Sequence, residues 1–317
     1  VRVMDFVNNV VSGLLLGGLY AVAALGLSIV FGTMKLVNLA HGQLLILGAY
    51  LTSMLIGLFG GGAPLLVGVA AAVLLAVLVY PLQRYIITPV MAQGEEPPMT
   101  VTFGISVVIT TLLIIFFTSS PLTSWTADYA TKEWEVFGVR IRVIYLIATV
   151  IALVFILALM WILKRTAFGR QVRAASIDAE AAGLVGIDVK KTYARVMSMS
   201  AFVAAIAGVL IALSFSVAPT TGTGWLLRAF TVVVIGGLGS LPGTLFGGFI
   251  VGLVEAAGAA WVGPQYRDVI VFGVLVVILL VLFLGNLRAA VVVAACLPLA
   301  VLSTFIIMRL FGWSANI

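Results

Sequence analysis

Three short stretches of the chain hold residues able to do chemistry. The first, LSIVFGTMKLVNLAHGQLLILGAY at 27–50, sets Lys35, Asn38, the single histidine His41 and Gln43 within nine residues between two apolar runs. Polar side chains are costly at membrane depth unless they pair or line a hydrated cavity. Two readings follow. In one, a broken helix bracketed by Gly32 and Gly42 turns its freed backbone groups, with Asn38, His41 and Gln43, toward a permeation path. In the other, the segment is a short cytoplasmic turn, with Asn38 capping the next helix and His41 at the membrane interface. A metal centre is much the weaker reading here, since one histidine without nearby carboxylates or thiolates supplies too few ligands.

The second stretch, VIGGLGSLPGTLFGGFIVGLVEAAG at 234–258, breaks a long apolar run with Gly236, Gly237, Gly239, Pro242 and Gly243, then carries Glu255 alone among apolar residues. Gly and Pro disfavour helix interiors, so two shorter helices are expected in place of one. Paired interruptions in the two halves of a chain point to a transport site. An ionisable residue in such a run is a functional candidate, and Glu255 can meet substrate, pair with Arg228 or Arg267, or make a structural hydrogen bond. The third stretch, KRTAFGRQVRAASIDAEAAGLVGIDVKKTYARV at 164–196, holds most of the clustered positive charge.

The background to these stretches is a bilayer. Hydrophobic residues make up 63% of the 317 positions and charged residues 9%, against about a quarter in soluble domains. Apolar runs near 10–31, 43–59, 65–87, 100–119, 143–163, 196–216, 229–260, 268–285 and 290–310 are each candidates to enter the hydrocarbon. The expected fold class is therefore all-α, a polytopic transmembrane helix bundle of about 8 to 10 membrane segments including broken helices. Residues 1–317 read as a single transmembrane domain, with the loop 164–195 inside it. The net charge of +6 is dispersed apart from that loop, so topology explains it better than nucleic acid does. The lone Cys296 forms no disulfide within the chain. The opening residues lack a positive region followed by a cleavage site, so the first run is expected to stay in the mature protein.

By the positive-inside rule the loop 164–195 is cytoplasmic. Walking backward puts 120–142 outside, with Trp125, Tyr129 and Trp134 suited to the interface, 88–99 inside and the amino terminus outside. A re-entrant piece near 32–42 would reverse that last assignment. Small residues at helix-packing spacing, Gly13 with Gly17, Gly243 with Gly247 and Gly248 with Gly252, fit close packing inside the bundle or against a second membrane subunit.

Within the basic loop, Asp178 is placed to cap a short helix carrying Glu180 in its first turn, and Gly186 to end it before Ile187. EAAGLVG at 180–186 resembles the loop by which permeases of ABC importers contact their ATPases. Together with VNLAHGQLLILGAY at 37–50, TAFGRQVRAAS at 166–176 and VIGGLGSLPGTLFGG at 234–248, it is similar to the permease family for branched-chain amino acids. The match covers about 10–285, and a urea-permease branch is a near neighbour.

That resemblance implies a bacterial or archaeal cytoplasmic (inner) membrane importer built from two permeases, two cytoplasmic ATPases and an external binding protein. The partner permease is then expected to be a LivM-like paralogue. Glu180, Ala181, Ala182, Gly186 and Ile187 would seat against the ATPase. No GxxxxGK[ST] loop occurs in this chain, so no cofactor is expected here, and ATP and Mg would sit on the partner. The family pattern ends near 285, whereas residues 289–317 add a further apolar segment. Rival readings are a urea or short-amide permease and an ion-coupled transporter or channel using His41 and Glu255. No HExxH or GxSxG constellation supports an enzyme.

Overall fold

A computed structural model describes residues 2–59, 62–94, 96–117, 122, 127–136 and 138–310, so Trp125 lies outside the described residues. Each expected apolar run falls on a helix. Helix α1 spans Arg2–Met34, α2 His41–Phe59, α3 Pro64–Met91 and α4 Glu96–Phe117. Helix α5 covers Val143–Arg165, α6 Ala167–Ile177, α7 Ala179–Leu184 and α8 Val189–Ser214. The run at 229–260 divides, as its glycines and proline require, into α9 (Gly222–Gly236) and α10 (Leu241–Trp261). Helices α11 (Arg267–Leu284) and α12 (Leu287–Leu310) complete the chain. Seven helices among the described residues are long and apolar enough to cross a membrane. In hydrocarbon the backbone must satisfy its own hydrogen bonds, which is why these runs are helical throughout.

Burial separates centre from periphery. The apolar window of α1 is 83% buried and that of α8 78%, against 11% for α4, so α1 and α8 form the core and α4 faces outward. Helix α1 crosses α10 through glycine. A Cβ on Gly17 would fall 2.5 Å from the Gly248 carbonyl oxygen, and Gly13 lies against Gly252 and Ala256. Without side chains between them the two backbones come into direct contact. The small-residue pairs thus pack within the chain.

One end of the bundle carries a small β-hairpin that the sequence reading did not contain. Strands β1 (Glu133–Val136) and β2 (Val139–Arg142) pair antiparallel, Glu133 opposite Arg142, across a turn in which Gly138 takes φ +79°. The alternation in VRIR and the following apolar run carried this signal weakly. The Arg140 amide donates to Asn8 Oδ1 at 2.9 Å, which places the start of α1 on this hairpin face. Tyr129 is partly buried, and Trp134 stands 47% exposed on β1.

The opposite, basic face carries α6 and α7. There α3 passes Pro81 and enters a π-helical turn at Gln83–Ile87, a local widening of the helix. This turn aims Arg84 at Asp188, 3.6 Å away, and its Nη1 donates to Tyr80 Oη at 3.0 Å. Residues 32–42 do not cross to the other face and back, so the backward walk along the chain keeps its parity.

Gly17→Ala should cost about 1–3 kcal/mol through backbone overpacking. Gly57→Ala, whose Cβ would meet nothing within 4 Å, should instead stabilise by about 0.4–1 kcal/mol through helix propensity. Thermal unfolding of the purified chain in one detergent compares the two directly.

Candidate functional site

The first polar stretch folds into the bundle. Helix α1 ends on Lys35, whose φ of 52° is the one positive value outside glycine among the described residues. Lys35–Ala40 then doubles back along α1 without helical structure. The His41 ring lies level with Ala23 and Gly26, roughly 12–17 Å deeper than the end of α1 at 1.5 Å per helical residue. Asn38 holds this reversal. Its Oδ1 accepts from the Ala40 amide at 3.0 Å, its carbonyl accepts from the His41 amide at 3.1 Å, and its Nδ2 approaches Met197 Sδ at 3.7 Å.

His41 is buried completely and does not sit at an interface. Its Nε2 is 2.8 Å from the Ala23 carbonyl oxygen; a carbonyl only accepts, so Nε2 carries the hydrogen. Gln43 packs its amide against Gly222 at the start of α9, and Gly42 packs against the Gly222 carbonyl and Leu226. His41 Nδ1 and Gln43 Oε1 have no hydrogen-bond partner among the described residues. Asn38, His41 and Gln43 line none of the cavities described below. Both earlier readings are therefore partly met: Asn38 does cap the reversal, and the helix is broken inside the protein.

The second stretch makes a sharp turn on the basic face. Gly237 and Gly239 take φ of +89° and +84°, conformations open to glycine, and Ser240 Oγ accepts from the Gly243 amide to start α10 with Pro242 in its first turn. Gly32 lies against Gly239, and Gly236 against Gly243, so both breaks meet at this end. The glycines serve close approach here.

Glu255 sits at the other end, on the cavity that opens at the hairpin face. This cavity has a volume of about 600 Å³ and is lined by Asn9, Ser12, Leu16, Arg142, Tyr145, Ser214, Phe215, Glu255, Ala256, Ala259, Ala260 and Arg267. Glu255 is buried, yet Tyr20 Oη donates to its Oε2 at 2.5 Å and Arg267 Nε lies 3.9 Å from its Oε1. Arg142 donates to Tyr145 Oη at 3.1 Å and reaches Glu133 at 3.8 Å on the hairpin. A second, smaller cavity shares Phe215 and includes Tyr20, Trp225 and Arg228, whose guanidinium stacks 5.1 Å from the Trp225 ring. The sequence reading named Glu255, Arg228 and Arg267 but missed Tyr20, Arg142 and Tyr145. The spacing Gly13, Gly17, Tyr20 continues one helical face and could have flagged the tyrosine.

On the basic face, α7 is a six-residue helix fixed at both ends. Asp178 Oδ1 accepts from the amides of Glu180 and Ala181 at 2.9 Å. At the other end the Ile187 amide bonds the Ala182 carbonyl and the Gly186 amide the Gly183 carbonyl, with Gly186 at φ +86°, a Schellman cap. Ala182 and the half-buried Ile187 anchor the helix, while Glu180, Ala181 and Gly186 face solvent. The following helix begins at Val189, two residues later than expected, with Asp188 as its cap. Ile177, Leu184 and Val185 project into solvent, 85%, 90% and 78% exposed.

A family model described as branched-chain amino acid transport system / permease component matches residues 9–281. A model of the AcrB/AcrD/AcrF family matches residues 267–317, too small a part to assign a family. The chain is 29% identical over 291 residues to the high-affinity branched-chain amino acid transport system permease protein BraD of Pseudomonas aeruginosa, covering 88% of this chain and 94% of that protein. It is 28% identical over 293 residues to the permease protein LivH of the corresponding Escherichia coli system, covering 89% and 95%. The fructose import permease protein FrcC of Rhizobium meliloti is 32% identical over 206 residues, covering 61% of this chain and 57% of that protein.

Two substitutions separate the cap of α7 from its surface. Asp178→Ala should cost about 1 kcal/mol of local stability and Gly186→Ala about 1–2 kcal/mol from left-handed strain. Hydrogen exchange of residues 179–185 should accelerate in both and stay unchanged in Glu180→Ala. Asn38→Leu, by contrast, should lower global stability through the stranded amides of the reversal, read as a lower unfolding temperature.

Proposed function

Because this chain belongs to the family of branched-chain amino acid transport system permease components, we propose that it is the conducting subunit of an ATP-driven importer of branched-chain or related amino acids. It works in the cytoplasmic membrane of a bacterial or archaeal cell. The basic face is cytoplasmic, and two ABC ATPases with their ATP and Mg dock there. A second permease, a paralogue, completes the membrane part. An external binding protein delivers substrate to the hairpin face.

The observation that carries this reading is α7. An isolated six-residue helix in water has little reason to be capped at both ends while holding Leu184 and Val185 almost fully exposed. A rigid helix with apolar side chains directed outward suits a groove on a partner. Its anchors pass force inward. Tyr193 Oη donates to the Ala175 carbonyl at 3.1 Å, tying α6 to α8, and Arg84 of α3 pairs with Asp188 at the cap of α8, so a push on the connected α6 and α7 reaches α3 and α8. Arg173 also binds the Leu163 carbonyl, joining α6 to the end of α5.

In this mechanism ATP-driven closure of the ATPases moves α6 and α7, and the space between the two permeases opens alternately to either side. Glu255 is the pathway residue. Asn38, His41 and Gln43 hold the shape of the broken segment, away from that cavity.

Leu184→Asp combined with Val185→Asp should reduce ATPase co-purification and binding-protein-dependent leucine uptake at least tenfold, with the chain still inserted and folded. Glu180→Ala with Gly186→Ala should lower uptake per ATP hydrolysed. Full coupled uptake in both pairs overturns the docking assignment. Gradient-driven uptake by the chain alone in liposomes, without ATPase, would favour the ion-coupled alternative.

A further inference from the structure

The hairpin-face cavity has a chemistry that membership in an import family does not assign. We propose that it is a transient site for a zwitterionic α-amino acid with a short aliphatic side chain, an inference that rests on the import reading above. Arg267 and Arg142 take the carboxylate, Glu255 takes the ammonium, and Leu16, Phe215 and Ala256 receive the side chain.

Charge comes first. Three ionisable side chains border the cavity, those of Arg142, Arg267 and Glu255, a formal +1 in a space otherwise walled by apolar and neutral residues. Both arginines are near half exposure, 44% for Arg267 and 41% for Arg142. Their ion pairs, 3.9 Å to Glu255 and 3.8 Å to Glu133, are longer than hydrogen bonds. Planar guanidinium forks therefore keep donors for a carboxylate, the partner that their geometry fits best.

Glu255 supplies the opposite pole. Tyr20 occupies its Oε2 and steers the carboxylate, while Oε1 meets Arg267 only at ion-pair distance. A carboxylate offers about four acceptor positions, so an ammonium can bind without displacing the tyrosine. Fixed opposite charges within one cavity match a zwitterion and give a neutral solute nothing in return for its lost water. The volume of about 600 Å³ lies inside the range of small-ligand sites, roughly 300–1,000 Å³. Affinity stays low, because each charge already has a partner to give up. Weak binding suits a conduit, which must release what it takes.

The test uses the assembled importer in lipid nanodiscs and saturation-transfer NMR, which detects weak ligands. Leucine should give a signal. Isovalerate, lacking the ammonium, and isopentylamine, lacking the carboxylate, should each bind about tenfold more weakly, as should fructose. Arg267→Gln, at a half-exposed position that should fold, should weaken leucine about tenfold and leave isopentylamine unchanged. Glu255→Gln should abolish the preference of leucine over isovalerate; if that variant does not fold, the analogue series with Arg267→Gln decides. Equal binding of leucine and isovalerate, or leucine binding unchanged in Arg267→Gln, overturns the site. Uptake separates this from the function itself. Leucine uptake without charge-selective binding overturns the site alone, whereas absent uptake of every zwitterion tried overturns the import reading.

Discussion

Everything in this bundle hangs on two helices touching through glycine. Where α1 crosses α10, Gly13, Gly17, Gly248 and Gly252 leave no side chain between the backbones, and dispersion across that contact replaces the water-exclusion force that lipid cannot provide. The crossing also fixes chemistry. Side chains tilt toward the start of their own helix, so in an antiparallel pair those beyond the contact lean toward each other. Tyr20 and Glu255 meet in that way, separated by 235 positions in the chain. The hairpin-face cavity forms beside that meeting point.

Against this rigid centre the two breaks have different duties. The turn at 237–240 is a tight reversal built from glycine dihedrals and a serine cap. The segment 35–40 is non-helical, buries Leu36, Asn38 and Ala40, and is secured by one asparagine. Both close on the basic face, where Gly32 abuts Gly239. The polar cavity lies at the other end. The polar cavity and the turns of the basic face are thus held by the same two helices at opposite ends, with α7 attached to the neighbouring α8.

Much of this was legible from the residues. Nine apolar runs gave the helices, because twenty apolar residues in sequence have few other options, and GGLGSLPG marked the split between α9 and α10. Asp178 and Gly186 fell at the two caps of α7, since local hydrogen bonding decides helix ends. Depth was not legible. Nothing local to Asn38 or His41 tells whether a polar turn sits at a surface or folds back into the bundle; that depends on Ala23, Met197 and Gly222, far away in sequence. Tyr20 and Arg142 escaped notice for the same reason, being ordinary residues until a distant helix brings Glu255 near. The hairpin at 133–142 was hidden by its brevity.

The crossing of α1 and α10 also bears on how the chain is made. The most buried helix emerges before its partner, which follows more than 200 residues later, a wait of roughly 10–40 s at 5–20 residues per second. During that interval the glycine face of α1 and the Tyr20 hydroxyl have no permanent neighbour, so lipid, α8 or the insertion machinery must shield them. Glu255, the costliest group to leave exposed in hydrocarbon, arrives in the late segment. It enters a bundle in which its hydroxyl donor is already waiting, and biosynthetic order thereby spares the membrane an unpaired carboxylate.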